Sequence, residues 1–203
     1  MNLKHPEIFD FSDPQKWTEK FIRKELSTME WDLSLWEVAP DIFRIPAFTP
    51  EFCDKIIETY KDQRGDMVDT WDTTVESLSL VEGLKESMRG VIADYLIHAI
   101  FHAWKVESGA IHKLKWDYTL YRFKKNQDLR VRHDGAFLTT FINLDDKTKG
   151  GQLYFPKYNF ELQPEQGVCY FFPQILTHRY GLKNFESDRT HYFVTYLKFD
   201  GSS

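Results

Sequence analysis

Two histidines and a carboxylate in the second half of the chain are the residues best suited to chemistry. His133 and Asp134 are adjacent in the segment Arg130-Val-Arg-His-Asp-Gly-Ala, and His178 follows an apolar stretch 45 residues after His133. Two histidines and one carboxylate on one face bind non-haem Fe(II) and leave its other coordination positions open. The three residues therefore predict a mononuclear iron site.

Arg189 adds a further element to this pattern. It stands 11 residues after His178, at the start of the last predicted strand. A buried arginine binds a carboxylate through two parallel hydrogen bonds, so Arg189 could hold a dicarboxylate co-substrate. Each residue alone would fit a structural role, as a loop histidine or a solvated strand end. Their common order and spacing favour the chemical interpretation.

The remaining histidines give weaker signals. His98 and His102 are four residues apart, which places them on one face of a predicted helix, but no third ligand accompanies them. A solvated helix face explains this pair better than a metal site does. His5 and His112 carry no pattern.

The hydrophobic periodicity changes near residue 110. Asp13-Pro14 and Thr49-Pro50 are helix starts, and an apolar stripe predicts a long helix from Leu84 to Trp104. From residue 113 onward, short alternating segments separated by turn residues predict an antiparallel sandwich or barrel. We therefore expect an α+β protein with a double-stranded β-helix (jelly roll) core, supported by N-terminal helices. Residues 1–40 are expected to form a helical extension, and residues 41–203 the jelly-roll domain.

Composition limits the class of protein. The chain has 203 residues, 33 of them aromatic (17 Phe, 10 Tyr and 6 Trp), and this content excludes disorder and coiled coils. A formal net charge of −5 argues against nucleic acid as the partner. Two isolated cysteines form no disulfide framework, and no apolar run is long enough for a membrane span. We expect a cytoplasmic protein that does not bind membranes.

Several motifs together resemble the Fe(II)/2-oxoglutarate-dependent oxygenase superfamily, near its lysyl and prolyl hydroxylase branch. The resemblance extends over about three quarters of the chain, from Phe43 to Phe199. The matching segments are Ile45-Pro-Ala-Phe-Thr-Pro-Glu-Phe-Cys-Asp, Tyr118-Thr-Leu-Tyr-Arg-Phe, Lys149-Gly-Gly-Gln-Leu-Tyr-Phe-Pro, Gly167-Val-Cys-Tyr-Phe-Phe-Pro with Thr177-His178, and Arg189-Thr-His191.

This resemblance implies hydroxylation of an unactivated C–H bond in an amino acid or in peptidyl lysine or proline. It implies Fe(II) as cofactor, 2-oxoglutarate and O₂ as co-substrates, and ascorbate as an additional reductant. The implied metal ligands are His133, Asp134 and His178. The residues implied to contact the co-substrate are Arg189, His191, Asn143 and Tyr121.

One departure from the family pattern leaves the metal ligands open. The family motif is His-x-Asp, whereas this chain has Arg132-His133-Asp134-Gly135. If Asp134 takes the carboxylate position, Arg132 falls where the first histidine belongs. If His133 takes the histidine position, the carboxylate falls on Gly135, as in the iron halogenases of this superfamily. A third arrangement uses an irregular backbone at Gly135 to bring both His133 and Asp134 to the metal.

Two alternative functions accompany these alternative alignments. One is a halogenase-like iron enzyme, and the other is a catalytically inactive jelly-roll binding module. A basic cluster formed by Lys124, Lys125, Arg130 and Arg132 lies near the expected mouth of the site. Such a cluster is more often a solvated loop than a substrate-binding surface.

Overall fold

The computed structural model describes residues 4–30, 32, 36–70, 73–105 and 114–199. Its helices lie in the first half of the chain, in the order that the periodicity predicts. They are α1 (Pro14–Phe21), α2 (Lys24–Ser27), α3 (Pro50–Tyr60), α4 (Glu82–Val91) and α5 (Ile97–Trp104). The predicted long helix is found as α4 and α5, joined by a π-helical turn over Ile92–Leu96.

Side-chain caps explain where α1 and α3 begin. The Asp13 carboxylate accepts a hydrogen bond from the Lys16 amide at the start of α1, and Thr49 Oγ1 accepts one from the Phe52 amide at the start of α3. In both helices a proline follows the cap, where its missing N–H is not needed.

The described residues form twelve strands in two antiparallel sheets. The larger sheet has eight strands in the order β1-β2-β10-β7-β12-β5-β4-β3, and the smaller has four in the order β6-β11-β8-β9. The strands are β1 (Glu37–Ala39), β2 (Ile42–Pro46), β3 (Asp66–Thr70), β4 (Thr73–Leu78), β5 (Leu114–Lys124), β6 (Leu129–Arg132), β7 (Leu138–Asn143), β8 (Leu153–Phe155), β9 (Phe160–Leu162), β10 (Val168–Pro173), β11 (Tyr180–Leu182) and β12 (Arg189–Phe199).

The larger sheet separates two hydrophobic cores. One core lies between this sheet and the helices, and it includes Trp17, Phe52, Met88 and Ile97. The other core lies between the two sheets, in the interior of the barrel. Because successive residues of a strand point to opposite faces, each strand of the larger sheet contributes alternate side chains to each core.

Besides β2, three further strands lie in the half of the chain that we predicted to be mainly helical. β1, β3 and β4 extend the larger sheet at its two ends. In β4, Val75 and Leu78 are buried, whereas much of the neighbouring β3 is polar and exposed. Pairing with β5 decides this conformation, and a non-local pairing of this kind gives only a weak signal in the sequence.

The cap at Thr49 provides a test of how α3 is anchored. Thr49→Ala removes the oxygen that accepts the Phe52 amide, so we expect the free energy of unfolding to fall by about 1 kcal/mol. Thr49→Ser keeps the oxygen and is the matched control. Chemical denaturation of the three proteins measures the difference, and equal losses in the two variants would contradict the assigned cap.

Candidate functional site

The interior of the barrel is filled mainly by aromatic side chains. They come from strands of both sheets and from the loop before β12, and they are Phe123, Phe141, Phe155, Tyr170, Phe172, Tyr180, Phe185 and Tyr192. Their rings contact each other at centroid distances such as 4.8 Å for Phe141–Tyr192 and 4.9 Å for Phe155–Phe172. The cavity that remains among them is about 10 Å³. That is at most the space that one water molecule needs.

Asp134 lies at the edge of this interior with a side chain that is only 2% exposed. The Arg132 guanidinium forms an ion pair with it, Nη2 to Oδ1, at 2.8 Å. Two hydroxyls donate to the other oxygen, Oδ2: Tyr180 at 2.7 Å and Thr139 at 2.9 Å. The Asp134 amide donates to Gln174 Oε1 at 2.7 Å. The carboxylate is therefore bound by one cation and two hydroxyl donors.

The protonation states around Asp134 follow from burial and charge. Burial raises the pKa of Tyr180 well above its ordinary value, and the neighbouring Asp134 carboxylate raises it further. The same two causes raise the pKa of Tyr196, which lines the small cavity. Burial lowers the pKa of Arg132, but the attraction of Asp134 outweighs this effect and raises it above the ordinary value. Both phenols thus stay protonated and Arg132 stays charged at neutral pH.

The structure does not bring the three predicted metal ligands together. His133 is exposed and lines an open surface pocket with Gln174, Ile175, Leu176 and Thr177. In the part of the chain that the structure describes, no group of three or more His, Cys, Asp or Glu residues could hold a metal ion. The assignment of His133, Asp134 and His178 as iron ligands therefore stays a prediction.

His178 is buried, but both of its ring nitrogens already have partners in the protein. Nε2 lies 3.0 Å from the Pro40 carbonyl oxygen and 3.1 Å from the Tyr158 hydroxyl. Nδ1 lies 3.0 Å from Thr177 Oγ1. These contacts connect the turn after β10 to the turn between β1 and β2.

Of the three alignments of the metal motif, the structure agrees with the one that places Asp134 in the carboxylate position. Asp134 is inside and paired with Arg132, the residue that this alignment puts in the histidine position. Gly135 lies in an exposed turn at φ +65°, and a Cβ there would meet nothing within 4 Å. Gly135 and His133 are both exposed in this structure. The halogenase-like and adjacent-ligand arrangements stay predictions.

Arg189 lies on the other face of β12 from the barrel interior. Tyr192 and Val194 belong to the interior core, so the strand alternation places Thr190 inside and Arg189 outside. Arg189 is exposed, and its Nη1 donates to the Lys61 carbonyl at 3.2 Å. The predicted contact of Arg189 with a co-substrate is thus not prepared in this structure and stays a prediction.

His191, on the same face as Arg189, belongs to a buried charged network. Its Nε2 accepts a hydrogen bond from Arg122 Nε at 3.2 Å, and its Nδ1 lies 3.3 Å from an Asp145 oxygen. Arg122 also pairs with Glu76 at 3.2 Å and donates to the carbonyls of Gln63 and Tyr60. Burial alone would raise the pKa of Glu76, but the Gly65 amide and the Arg122 charge lower it below the ordinary value.

The other two predicted co-substrate residues are structural in this conformation. The Asn143 side chain donates to the carbonyls of Asp145 and Pro164, and it accepts from the Asp145 amide and from the Thr148 hydroxyl. Tyr121 lines the small interior cavity, and its hydroxyl accepts a hydrogen bond from Tyr196 at 3.4 Å. Their predicted roles stay untested.

Sequence reasoning missed Tyr180, Thr139 and Tyr196 as parts of the site. Tyr180 stands two residues after His178, and its position in the short strand β11 directs it inward. The alternation of β7 places Thr139 on the same face as Phe141. This signal is present in the sequence, but it becomes readable only when the inward face of each strand is known.

The chain was then compared with known proteins. No family model matches it. It is 25% identical over 187 residues to human procollagen-lysine,2-oxoglutarate 5-dioxygenase 2, an alignment that covers 83% of this chain and 25% of the relative. It is also 25% identical over 122 residues to 2-oxoglutarate and iron-dependent oxygenase domain-containing protein 2 of Xenopus tropicalis, which covers 56% of this chain and 34% of the relative. The chain thus spans only about a quarter to a third of the curated relatives that it matches.

Solved structures share the fold at low sequence identity. A prolyl-4-hydroxylase of Pseudomonas putida superposes with a TM-score of 0.62 at 12% identity and covers 84% of this chain and 96% of its own. The viral collagen prolyl hydroxylase of Paramecium Bursaria Chlorella virus-1, solved as a 2OG complex, gives a TM-score of 0.59 at 14% identity, covering 77% of this chain and 95% of its own.

These comparisons define the class of the protein. Its fold is that of the 2OG-Fe(II) oxygenases, which confirms the predicted α+β jelly-roll class. The predicted resemblance to lysyl and prolyl hydroxylases is confirmed as well. The related proteins are 2-oxoglutarate- and iron-dependent oxygenases, so the predicted reaction class and cofactors are those of its relatives. Among the described helices, none is long and apolar enough to cross a membrane.

The residues inside this barrel do not fit the iron and 2-oxoglutarate that the class implies. The Asp134 carboxylate already binds a guanidinium cation and two hydroxyls, and none of these is a preferred ligand of Fe(II). The interior cavity of about 10 Å³ is far smaller than a dicarboxylate. Neither Fe(II) nor 2-oxoglutarate therefore has a prepared site among the described residues of this interior.

The Arg122 network should contribute strongly to the free energy of unfolding because its charges are buried. Arg122→Ala leaves Glu76 without its cation, and we expect the free energy of unfolding to fall by about 3–5 kcal/mol. Arg44 forms an exposed ion pair with Glu165, so Arg44→Ala is the matched control, with a loss of at most about 1 kcal/mol. Urea denaturation measures both, and similar losses would contradict the difference in burial.

Proposed function

We propose that this chain is a jelly-roll domain of the Fe(II)/2-oxoglutarate oxygenase class that binds a polypeptide segment containing lysine or proline at the open end of its barrel. Support comes from the relatives, whose names specify procollagen lysine and collagen proline as substrates. The predicted peptidyl substrate agrees with those names. Cytoplasmic location is likewise part of the proposal.

The observation that carries the proposal is the surface directly above Asp134. Ile175 is 53% exposed and Leu176 is 76% exposed, beside an open pocket of about 450 Å³ that His133 also lines. Gln174 lines the same pocket, and its Oε1 accepts a hydrogen bond from the Asp134 amide. It therefore connects this surface to the interior. Ile175 and Leu176 are adjacent and together offer apolar contact surface to a bound segment beside the pocket.

Peptide binding can be tested with substitutions on this surface. We expect Leu176→Asp and Ile175→Asp to weaken the binding of a collagen-like peptide by at least about tenfold, because a carboxylate replaces the apolar contact. Met67 is 54% exposed on β3, at the far edge of the larger sheet, so Met67→Asp is the matched control. Calorimetric titration gives the affinities. Equal affinity of all four proteins would place the peptide elsewhere.

The class supports hydroxylation of a C–H bond in the bound segment as the reaction. A second candidate function is peptide binding without turnover. The ion pair between Arg132 and Asp134 favours this second candidate, because it occupies the carboxylate that the family pattern would use as a metal ligand.

An anaerobic titration with Fe(II) and 2-oxoglutarate separates the two candidates. A saturable metal-to-ligand charge-transfer band that disappears in Asp134→Asn would establish hydroxylation chemistry at this site. The control Asp117→Asn changes an exposed carboxylate and should leave such a band intact. From the contacts of Asp134 we expect no band in the wild-type chain. Its absence would rule out iron-dependent hydroxylation at this site and leave peptide binding without turnover, which the calorimetric titration tests separately.

A further inference from the structure

We infer that Arg132 and Tyr180 replace the metal cation beside Asp134, so that the barrel is complete without Fe(II) and these two positions are the ones where iron ligands are lacking. The inference goes beyond the proposed peptide binding and does not depend on it. It concerns only what neutralises the carboxylate inside the barrel.

The negative charge of Asp134 is already compensated inside the protein. A buried carboxylate is costly unless a cation or several hydrogen-bond donors stabilise it. Asp134 has both: the Arg132 guanidinium at 2.8 Å from Oδ1, and the Tyr180 and Thr139 hydroxyls on Oδ2. A divalent metal at the same carboxylate would lie close to a fixed positive charge, and the repulsion would disfavour its binding.

The positions of Arg132 and Tyr180 place both side chains beside this carboxylate. Arg132 on β6 and Tyr180 on β11 lie opposite each other in the register of the smaller sheet. Residues opposite each other in an antiparallel pair have Cβ atoms roughly 4.5–5.5 Å apart. Both side chains converge on the carboxylate of Asp134. Histidines at these two positions would therefore form, with Asp134, the two-histidine, one-carboxylate ligand set of non-haem iron.

The described interior also lacks the space and the complementary charge that a dicarboxylate needs. Among the described residues that line the small interior cavity, Arg132 is the one cationic side chain, and it is already paired with Asp134. On β12 the inward position is Thr190, whose buried hydroxyl has no hydrogen-bond partner in the described structure. Arg189 points to the opposite face. The interior thus offers a dicarboxylate neither room nor a second cation.

The test is to build the missing ligand set. We expect the double variant Arg132→His/Tyr180→His to bind about one Fe(II) per chain in anaerobic equilibrium dialysis, and the further substitution Asp134→Asn to abolish that binding. The wild-type chain should bind no Fe(II) above background, and its thermal midpoint should be the same with Fe(II) and with a chelator. Tyr154→His/Lys183→His/Glu161→Gln places two histidines close together outside the interior core, with the neighbouring Glu161 carboxylate removed, and controls for non-specific binding.

Two results would overturn the inference. One is stoichiometric Fe(II) binding by the wild-type chain that Asp134→Asn removes, which would at the same time support hydroxylation as the function. The other is a double variant that is folded by circular dichroism and binds no more Fe(II) than the wild-type chain. Failure of peptide binding, in contrast, would refute the proposed function and leave the iron result unchanged.

A second pair of variants keeps the test decisive if the double variant does not fold. Arg132→Lys keeps the cation and Arg132→Met removes it, so we expect the Met variant to unfold at clearly lower denaturant concentration than the Lys variant. The same two substitutions at exposed Arg44 should differ little. Equal stability of the two Arg132 variants would show that no cation is needed beside Asp134, and this would overturn the inference.

Discussion

The buried carboxylate of Asp134 is the constraint on which the rest of the site depends. A carboxylate that is 2% exposed needs compensating charge, and the nature of the group that supplies this charge determines what the barrel can do. A metal ion would leave coordination positions for substrates. A guanidinium beside Oδ1 and two hydroxyls on Oδ2 compensate the carboxylate instead, and the fixed positive charge disfavours a metal there. The same carboxylate in the same barrel can therefore serve catalysis or only stability.

The frame around Asp134 is consistent with the stabilising role. Arg132 and Tyr180 can both reach the carboxylate because β6 and β11 pair in a register that places them opposite each other. The aromatic side chains behind them pack closely, as protein interiors normally do, and leave about 10 Å³. On the other face of the larger sheet, Arg122 fixes β5 to the end of α3 through the carbonyls of Tyr60 and Gln63. Both faces thus use an arginine as a structural cation, Arg122 buried and Arg132 partly buried.

Local sequence signals predicted most helices and strands. The features that were not predicted depend on pairing between segments distant in the sequence. Proline after a capping residue predicted the starts of α1 and α3, and alternation after residue 113 predicted the antiparallel strands. The β3–β4 hairpin was missed because its conformation depends on pairing with β5. The inward face of β12 could not be predicted, since a shift of one residue exchanges Arg189 for Thr190. His178 and Tyr180 are two residues apart, and only the structure shows that Tyr180, and not His178 in the turn before β11, reaches Asp134.

Relationship and chemistry answer different questions about this chain. Its fold and its relatives connect it to 2-oxoglutarate-dependent hydroxylases, and that connection rests on a scaffold shared over most of the chain. Function resides in a few side chains mounted on such a scaffold. Here Asp134 is present, whereas the residues that converge on it are Arg132 and Tyr180. A hydroxyl and a guanidinium stabilise a carboxylate by donating hydrogen bonds and charge, but a metal needs lone pairs from its ligands. This interior differs from an iron site because hydrogen-bond donors, and not lone-pair donors, surround the Asp134 carboxylate.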